Sequence, residues 1–297
     1  MFRRTGVLSL NAILLFLTCP SCPAKLRYFP FTLRSLQLLV IDTHAHLTDE
    51  SLLPQLDNVL AEANAAGVQA ILAVATNLVN SRTCLELAAR YACIRASVGI
   101  HPNYCAAAAQ GDFEAISELA RSPRVAGIGE TGLDRHWNDS PWEKQVESFR
   151  QHIALSRATD HPLIIHTRDC AEEMLALLQS ETRQAGSIRA VMHSFTGPQA
   201  VADGCLAMGL YISFAGMLTY KNADDLRAIA RTIPADRLLV ETDCPYLTPH
   251  PFRGKRPNQP AMVVHTLACL AEIRGVTAAE LAEQTTRNAE TLFGKWD

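Results

Sequence analysis

The sequence predicts an α/β protein, a closed (β/α)8 barrel forming one domain over residues 38–297. Three observations carry that reading. From Leu38 onward, eight short apolar runs alternate with stretches of helical spacing. Most connections are short enough for consecutive elements to pack side by side. No Pro-, Gly- or Ser-rich linker divides the chain. The nearest competitor, an open doubly wound sheet, usually has fewer strands.

The first run, Leu38-Leu-Val-Ile41, ends in Asp-Thr-His-Ala-His46, a buried parallel strand running out into polar residues. Ser51 to Ala66 has helical spacing and stops at Gly67, and Ala70–Ala75 is the second strand. A helix over Asn80–Ala92 leads to strand three, Ile94–Ile100, which ends at His101-Pro102. A helix over Asp112–Arg121 leads to strand four, Val125–Glu130. Ser140-Pro141-Trp142-Glu143 predicts a capping box opening a long helix that ends near Asp160. Strand five is Leu163–His166, followed by a helix over Ala171–Gln179 and strand six, Ala190–His193. Pro198–Met208 is helical, Leu210–Phe214 is strand seven, Asn222–Thr232 is helical and Leu238–Asp243 is strand eight. Two helices, Ala261–Ile273 and Thr277–Phe293, close the chain.

Residues 1–37 do not resemble the rest of the chain. Arg3-Arg4, an apolar run from Val7 to Leu17 and Cys-Pro-Ser-Cys-Pro-Ala have the outline of a signal peptide without a clean cleavage site. That run is too short to span a bilayer comfortably. The favoured reading is a non-core extension, translated upstream of a start near Leu38 or Val40.

The apolar fraction and moderate charge over 297 residues describe an ordinary globular protein with a sizeable core and no membrane partner. A net charge of −3 gives no global attraction for nucleic acid or anionic lipid, so a polyanionic substrate must be held locally. Nine scattered cysteines, an odd number without framework spacing, fit a reducing, cytoplasmic setting. Cys19-Pro-Ser-Cys22 lacks any second pair and reads as incidental.

Polar residues gather at the strand ends. His44 and His46 share a face after strand one, because successive side chains of a strand alternate. His101 follows strand three, Glu130 strand four, His166 strand five, His193 strand six and Asp243 strand eight. A lone His-x-His is ordinarily two polar residues in a surface turn, and a lone strand-end His a hydrogen-bonded structural residue. His101 set aside, four histidines, a glutamate and an aspartate at one topological position on five strands are another matter. In a barrel these ends converge on the face where catalysis is built. Six ligands exceed the four of a tetrahedral zinc and suit two divalent cations sharing a carboxylate. Glu130, midway round the barrel, is the best bridging candidate, and Asp243 can be both ligand and proton acceptor.

Gly127-Ile-Gly129-Glu-Thr-Gly132 fits a dinucleotide-binding pattern, but the next helix opens only at Ser140. These glycines read instead as close-approach positions around Glu130. Arg168 shares the face of His166 if strand five continues. Lys221 follows strand seven, and Arg253-Gly-Lys255-Arg256 follows strand eight. Such groups would border the metal face, where Arg and Lys hold phosphate oxygens. Lys255 and Arg256 read equally well as a solvated loop cluster.

Ile41-Asp-Thr-His-Ala-His46, Gly99-Ile-His-Pro102, Gly129-Glu-Thr-Gly-Leu-Asp134, His166-Thr-Arg168, His193-Ser-Phe-Thr-Gly197, Glu241-Thr-Asp-Cys-Pro245 and Arg253-Gly-Lys255 together closely resemble the TatD family of metal-dependent deoxyribonucleases. The resemblance runs in order from about Leu39 to Phe293. It implies a TIM-barrel hydrolase that cuts phosphodiester bonds in DNA, often as a 3′-to-5′ exonuclease on single strands or 3′ ends. It implies that His44, His46, Glu130 and Asp243 hold one divalent cation and that Glu130, His166 and His193 hold the other. His101, Asp134, Arg168, Lys221 and Arg253 are then assigned to substrate. Asp134 would orient a ligand histidine or the substrate, or else build a structural turn. Imidazole-rich ligation favours zinc or manganese, whereas the family's activity is associated with magnesium.

Two other functions compete with the nuclease. A hydrolase of amides or esters on the same barrel would share the cations but need no phosphate clamp. A metal-binding protein without turnover is the other, and the presence of both Glu130 and Asp243 argues against it, since loss of the water-activating carboxylate is the simplest way to abolish catalysis.

Overall fold

A computed structural model of the chain describes residues 39–296. The expected extension over residues 1–37 lies outside the described residues. Eight parallel strands follow one another in chain order around a single sheet: β1 Val40–Ala45, β2 Val68–Ala73, β3 Ile94–Val98, β4 Val125–Asp134, β5 Leu163–Arg168, β6 Ala190–Met192, β7 Tyr211–Phe214 and β8 Leu238–Val240. Nine α-helices are found among the described residues: α1 Leu56–Ala65, α2 Leu78–Arg90, α3 Asp112–Leu119, α4 Trp142–Thr159, α5 Ala171–Ala185, α6 Gln199–Ala207, α7 Asp224–Thr232, α8 Val263–Arg274 and α9 Ala278–Phe293. The predicted (β/α)8 barrel is the fold observed. Among these helices none is by itself long and apolar enough to cross a membrane.

The barrel shuts at the seam between β8 and β1. Ala45 and Cys244 form a parallel bridge, the Asp243 amide donates to the His44 carbonyl (2.9 Å), and the His46 amide donates to the Cys244 carbonyl (2.8 Å). The buried Asp42 carboxylate accepts the Thr242 amide (2.9 Å) and hydroxyl (2.6 Å), so side chains supply part of this closure. Burial pushes the Asp42 carboxyl up to about 7 against those hydrogen bonds.

Two apolar layers form the core. Ile41, Leu72, Ala126, Ile164, Val191, Tyr211 and Leu239 come from seven strands and can meet only inside the barrel. Leu292 and Phe293 of α9 join them, and the Phe293 carbonyl accepts from Arg95 at the start of β3. That end of the barrel is therefore filled. A larger layer lies between strands and helices, with Phe149, Ile116, Ile71 and Leu163 fully buried.

Several expected boundaries shift. β4 does not stop at Glu130 but runs on to Asp134, and β5 continues to Arg168, because the two strands pair along that length. Strands β6 and β8 are shorter than predicted, so His193, Glu241 and Asp243 stand just beyond regular strand geometry. The helix expected from Ser51 begins with a 3-10 turn, Leu53–Gln55, containing Pro54. The capping box predicted at Ser140 is absent. The Ser140 hydroxyl accepts the Ala106 amide (2.9 Å) instead, and Pro141 occupies the cap position without a side-chain bond. The capping box that does form joins Thr277 and Glu280 at the start of α9.

The glycines of β4 behave as predicted. A Cβ on Gly129 would stand 2.6 Å from the Ile164 carbonyl oxygen, and one on Gly132 would stand 2.0 Å from that of His166. Their φ angles of +143° and +144° also exclude other side chains. β4 can thus lie tight against β5 and bring Glu130 to the histidines of the neighbouring strands.

Candidate metal centre

Glu130 is buried at the middle of the open end, and its two oxygens face different partners. One oxygen, Oε1, lies 2.8 Å from His166 Nδ1, 2.9 Å from His193 Nε2 and 3.5 Å from His101 Nε2. The other, Oε2, lies 3.4 Å from His44 Nε2 and 3.5 Å from His46 Nε2. Asp243 Oδ1 completes that second group, 3.3 Å from His46 Nε2 and 3.7 Å from His44 Nε2. The two imidazole nitrogens of His44 and His46 are 3.2 Å apart.

These spacings test whether a cation fits. Four nitrogen and oxygen ligands placed tetrahedrally at bonding distance from one zinc-sized ion are about 3.3 Å from one another. Five separations among His44 Nε2, His46 Nε2, Glu130 Oε2 and Asp243 Oδ1 span 3.2–3.7 Å. Five of the six edges of such a tetrahedron are therefore of the right length. On the other side, His101, Glu130 and His166 also bring ligand atoms within 4.8 Å of one another. His193 Nε2 stands 3.5 Å from His166 Nδ1.

The outer ring nitrogens decide which nitrogen is free. His46 Nδ1 donates to the Val74 carbonyl (3.2 Å), His193 Nδ1 to Glu241 (3.2 Å) and His166 Nε2 to Asp134 (3.0 Å). Each such bond puts a proton on the outer nitrogen, so the inner nitrogen, on the side of Glu130, is the one that would offer its lone pair to a cation. His44 differs, since its buried Nδ1 has no hydrogen-bond partner. It stacks on the His193 ring with centroids 4.0 Å apart.

The charges favour a cation as well. Burial alone would raise the Glu130 carboxyl, yet the charge of the adjacent His193, with the hydrogen bonds to His166 and His193, holds it well below the usual carboxylate range. Burial would also raise Asp243, and the His46 hydrogen bond with the adjoining imidazole charges keeps it low. Burial, then the charge of His166, pushes His101 down to about 3, so His101 is a neutral imidazole. Asp134, despite its burial, is held at about 2 chiefly by its bond to His166.

The structure therefore brings His44, His46, His101, Glu130, Asp134, His166, His193 and Asp243 together. Asp134 makes the contacts that either of its two readings requires. One oxygen accepts from His166, and the other accepts the amides of His136 (2.7 Å) and Trp137 (3.1 Å) in a turn. The basic residues stay at the rim. Arg168 and Arg253 are exposed, their guanidinium carbons 5.8 Å from the Trp137 ring and 4.1 Å from the Tyr220 ring. Lys221 is exposed, and its carbonyl rather than its ammonium is engaged, by Arg227. Beside His193 a cavity of about 330 Å³ opens between Thr167, Cys170, Phe195 and Thr196.

Glu241 escaped the sequence reading as a site residue. It accepts both His193 Nδ1 and the Ser194 amide (2.6 Å). The signal available was its spacing, two residues before Asp243 at a strand end. Asp42 was likewise unassigned, although it shares strand parity with His44.

A barrel with imidazoles and carboxylates ringed about one buried glutamate at the C-terminal ends of its strands defines a metal-dependent hydrolase. The model of the TatD related DNase family matches residues 41–294, and the chain belongs to that family. It is 41% identical over 255 residues to YabD of Bacillus subtilis (strain 168), an uncharacterized metal-dependent hydrolase, covering 86% of this chain and 99% of that one. It is 37% identical over 259 residues to the 3'-5' ssDNA/RNA exonuclease TatD of Klebsiella pneumoniae (strain 342), covering 86% and 98%. Among solved structures, the TatD homolog YJJV of Escherichia coli k12 superposes with a TM-score of 0.81 at 29% identity, covering 86% of this chain and 98% of that one.

Proposed function

We propose that the protein hydrolyses phosphodiester bonds in DNA, removing nucleotides from the 3′ ends of single strands, in the cytoplasm. The observation that carries this reading is the division of Glu130, one oxygen towards His44, His46 and Asp243, the other towards His166 and His193. On this reading His44, His46, Glu130 and Asp243 hold one divalent cation and Glu130, His166 and His193 the second, with magnesium, manganese or zinc as the ion. Such a pair supplies Lewis acidity, polarising a phosphoryl oxygen and making water a stronger acid.

The chain's own groups do the rest. Asp243, ionised and reached by His46, accepts the proton of the attacking water as the new P–O bond forms. The P–O bond to the departing sugar breaks, and that oxygen takes a proton from solvent. Asp134 and Glu241 keep His166 and His193 in one tautomer and orientation. His101, neutral and beside Glu130, faces the substrate. Arg168, Lys221 and Arg253 hold flanking phosphates from the rim. The family membership and the exonuclease name of the Klebsiella relative support a nucleic acid substrate. Seven unpaired cysteines among the described residues support a reducing compartment.

The test is hydrolysis of a 3′-labelled single-stranded oligonucleotide by cation-loaded protein, with Asp243→Asn in parallel. Stepwise loss of label, abolished by chelator and by the substitution, is the expected result. Wild type as inert as the variant with magnesium, manganese and zinc would sink the nuclease and turn attention to amides and esters.

A further inference from the structure

Three aromatic side chains are exposed among the described residues: Tyr104 at 45%, Trp137 at 51% and Tyr246 at 48%. Single exposed apolar residues are ordinary on any surface. Their placement here is not. They follow β3, β4 and β8, so all three stand on the loops at the open end, and the helical ring and the filled end carry none. Each is also tied to the metal centre. The Tyr246 ring lies 6.1 Å from that of His46, and the Tyr104 ring lies 6.1 Å from that of His101. The Trp137 amide donates to Asp134, whose other oxygen accepts from His166.

Exposing an indole and two phenol rings forgoes burial that a folded chain normally takes. A ligand with flat aromatic groups would cover them. Cations stand beside the same rim: Arg168 lies 5.8 Å from the Trp137 ring, and Arg253 lies next to Tyr220 on the β7–β8 side. Alternating aromatic faces and guanidinium groups are what a single nucleic acid strand requires, bases on the rings and phosphates on the cations. A duplex keeps its bases stacked on one another and has none to offer.

We propose that Trp137, Tyr104 and Tyr246 form stacking platforms for unpaired nucleobases on either side of the scissile phosphodiester. Trp137 receives a base on the His166 side and Tyr246 one on the His46 side, with Tyr104 between them. This rests on the phosphodiesterase reading and adds to it a source of selection for single strands. Stacking tolerates every base, so the platforms give strand selection without sequence preference.

The test uses the full chain with its cations. One probe is a short oligothymidylate protected by phosphorothioate linkages, and the other is the same backbone with abasic sugars at its 3′ end. Wild type should bind the base-bearing strand roughly 5- to 100-fold more tightly, the range expected of base–aromatic stacking. Trp137→Ala and Tyr246→Ala should shrink that ratio, the double variant should erase it, and Trp137→Phe should keep it. Tryptophan fluorescence should be quenched by the base-bearing strand in wild type and not in Trp137→Phe, a readout independent of turnover. Equal affinity for both probes, or a ratio that survives the double variant, overturns the platforms. Cleavage of an unprotected strand reports the nuclease separately: with cleavage intact only the platforms fail, and with no cleavage and no binding both readings fall.

Discussion

The two sides of Glu130 are built differently. On the β5–β6 side, both histidines donate their outer nitrogen to a buried carboxylate, His166 to Asp134 and His193 to Glu241. On the seam side, His46 donates only to a backbone carbonyl, and His44 Nδ1 has no partner. A carboxylate behind an imidazole fixes its tautomer and makes it a stronger ligand. The β5–β6 side is therefore set before any cation arrives. The seam side relies on Asp243, which is itself a ligand candidate, and on strand closure through Asp42 and Thr242.

The sharpest break is Asp243→Asn. It should lower kcat about 10²- to 10⁴-fold through loss of the proton acceptor. Cation content should fall to roughly one per chain, because the β5–β6 side keeps its own carboxylates. Metal analysis after dialysis checks the second outcome, and retention of both ions would mean that the sides are not independent. Next, Glu241→Gln and Asp134→Asn should each weaken cation binding about 10- to 100-fold, measured by competition with a chromogenic chelator. An equal loss on both sides of Glu130 would dissolve the contrast.

A smaller effect involves His152 of α4, which lies behind His101. Its Nε2 accepts the Ile100 amide (3.0 Å) and its Nδ1 donates to the Ser148 carbonyl (2.7 Å). Burial holds this imidazole down to about 4, while in the unfolded chain it titrates near 6.5. Above pH 6.5 it is neutral in both states and its contribution to stability is complete. As pH falls towards 4 only the unfolded chain takes up the proton, so stability drains by about 3 kcal/mol in all. Urea unfolding at pH 7 and pH 4.5 should show that loss in wild type and a shallower one in His152→Gln. Smallest of all, Arg253→Gln or Lys221→Gln should raise KM for an oligonucleotide a few-fold. Each should also reduce the salt dependence of binding by a slope of about 0.7. The same change at Arg168 sharpens the comparison, since it falls on the opposite side of Glu130.

Much of this arrangement was legible because barrels convert chain order into geometry. An apolar run ending in His, Glu or Asp places that group at the open end whatever the loops do, and so His44, His46, Glu130, His166, His193 and Asp243 could be collected in advance. What supports them could not. The bond from His46 to Val74 spans 28 residues and ends on a carbonyl, which no side-chain pattern records. His193 and Glu241 are 48 residues apart, and only the positions of β6 and β8 across the barrel make them neighbours. Ser140 failed as a cap for the same reason: the Ala106 amide, 34 residues earlier, uses its hydroxyl. Local signals name the groups that can react, and tertiary register chooses what holds them.

The seam has a consequence for biosynthesis. Asp42 and Thr242, which lock β1 to β8, are 200 residues apart. At ordinary ribosomal speeds of ~5–20 residues per second, the second arrives about 10 to 40 s after the first. Throughout that interval His44 and His46 have left the ribosome without Asp243, and the seam side cannot assemble. On the proposed reading, in which Asp243 accepts the proton, the nascent chain has no hydrolytic capacity until translation has passed its last strand.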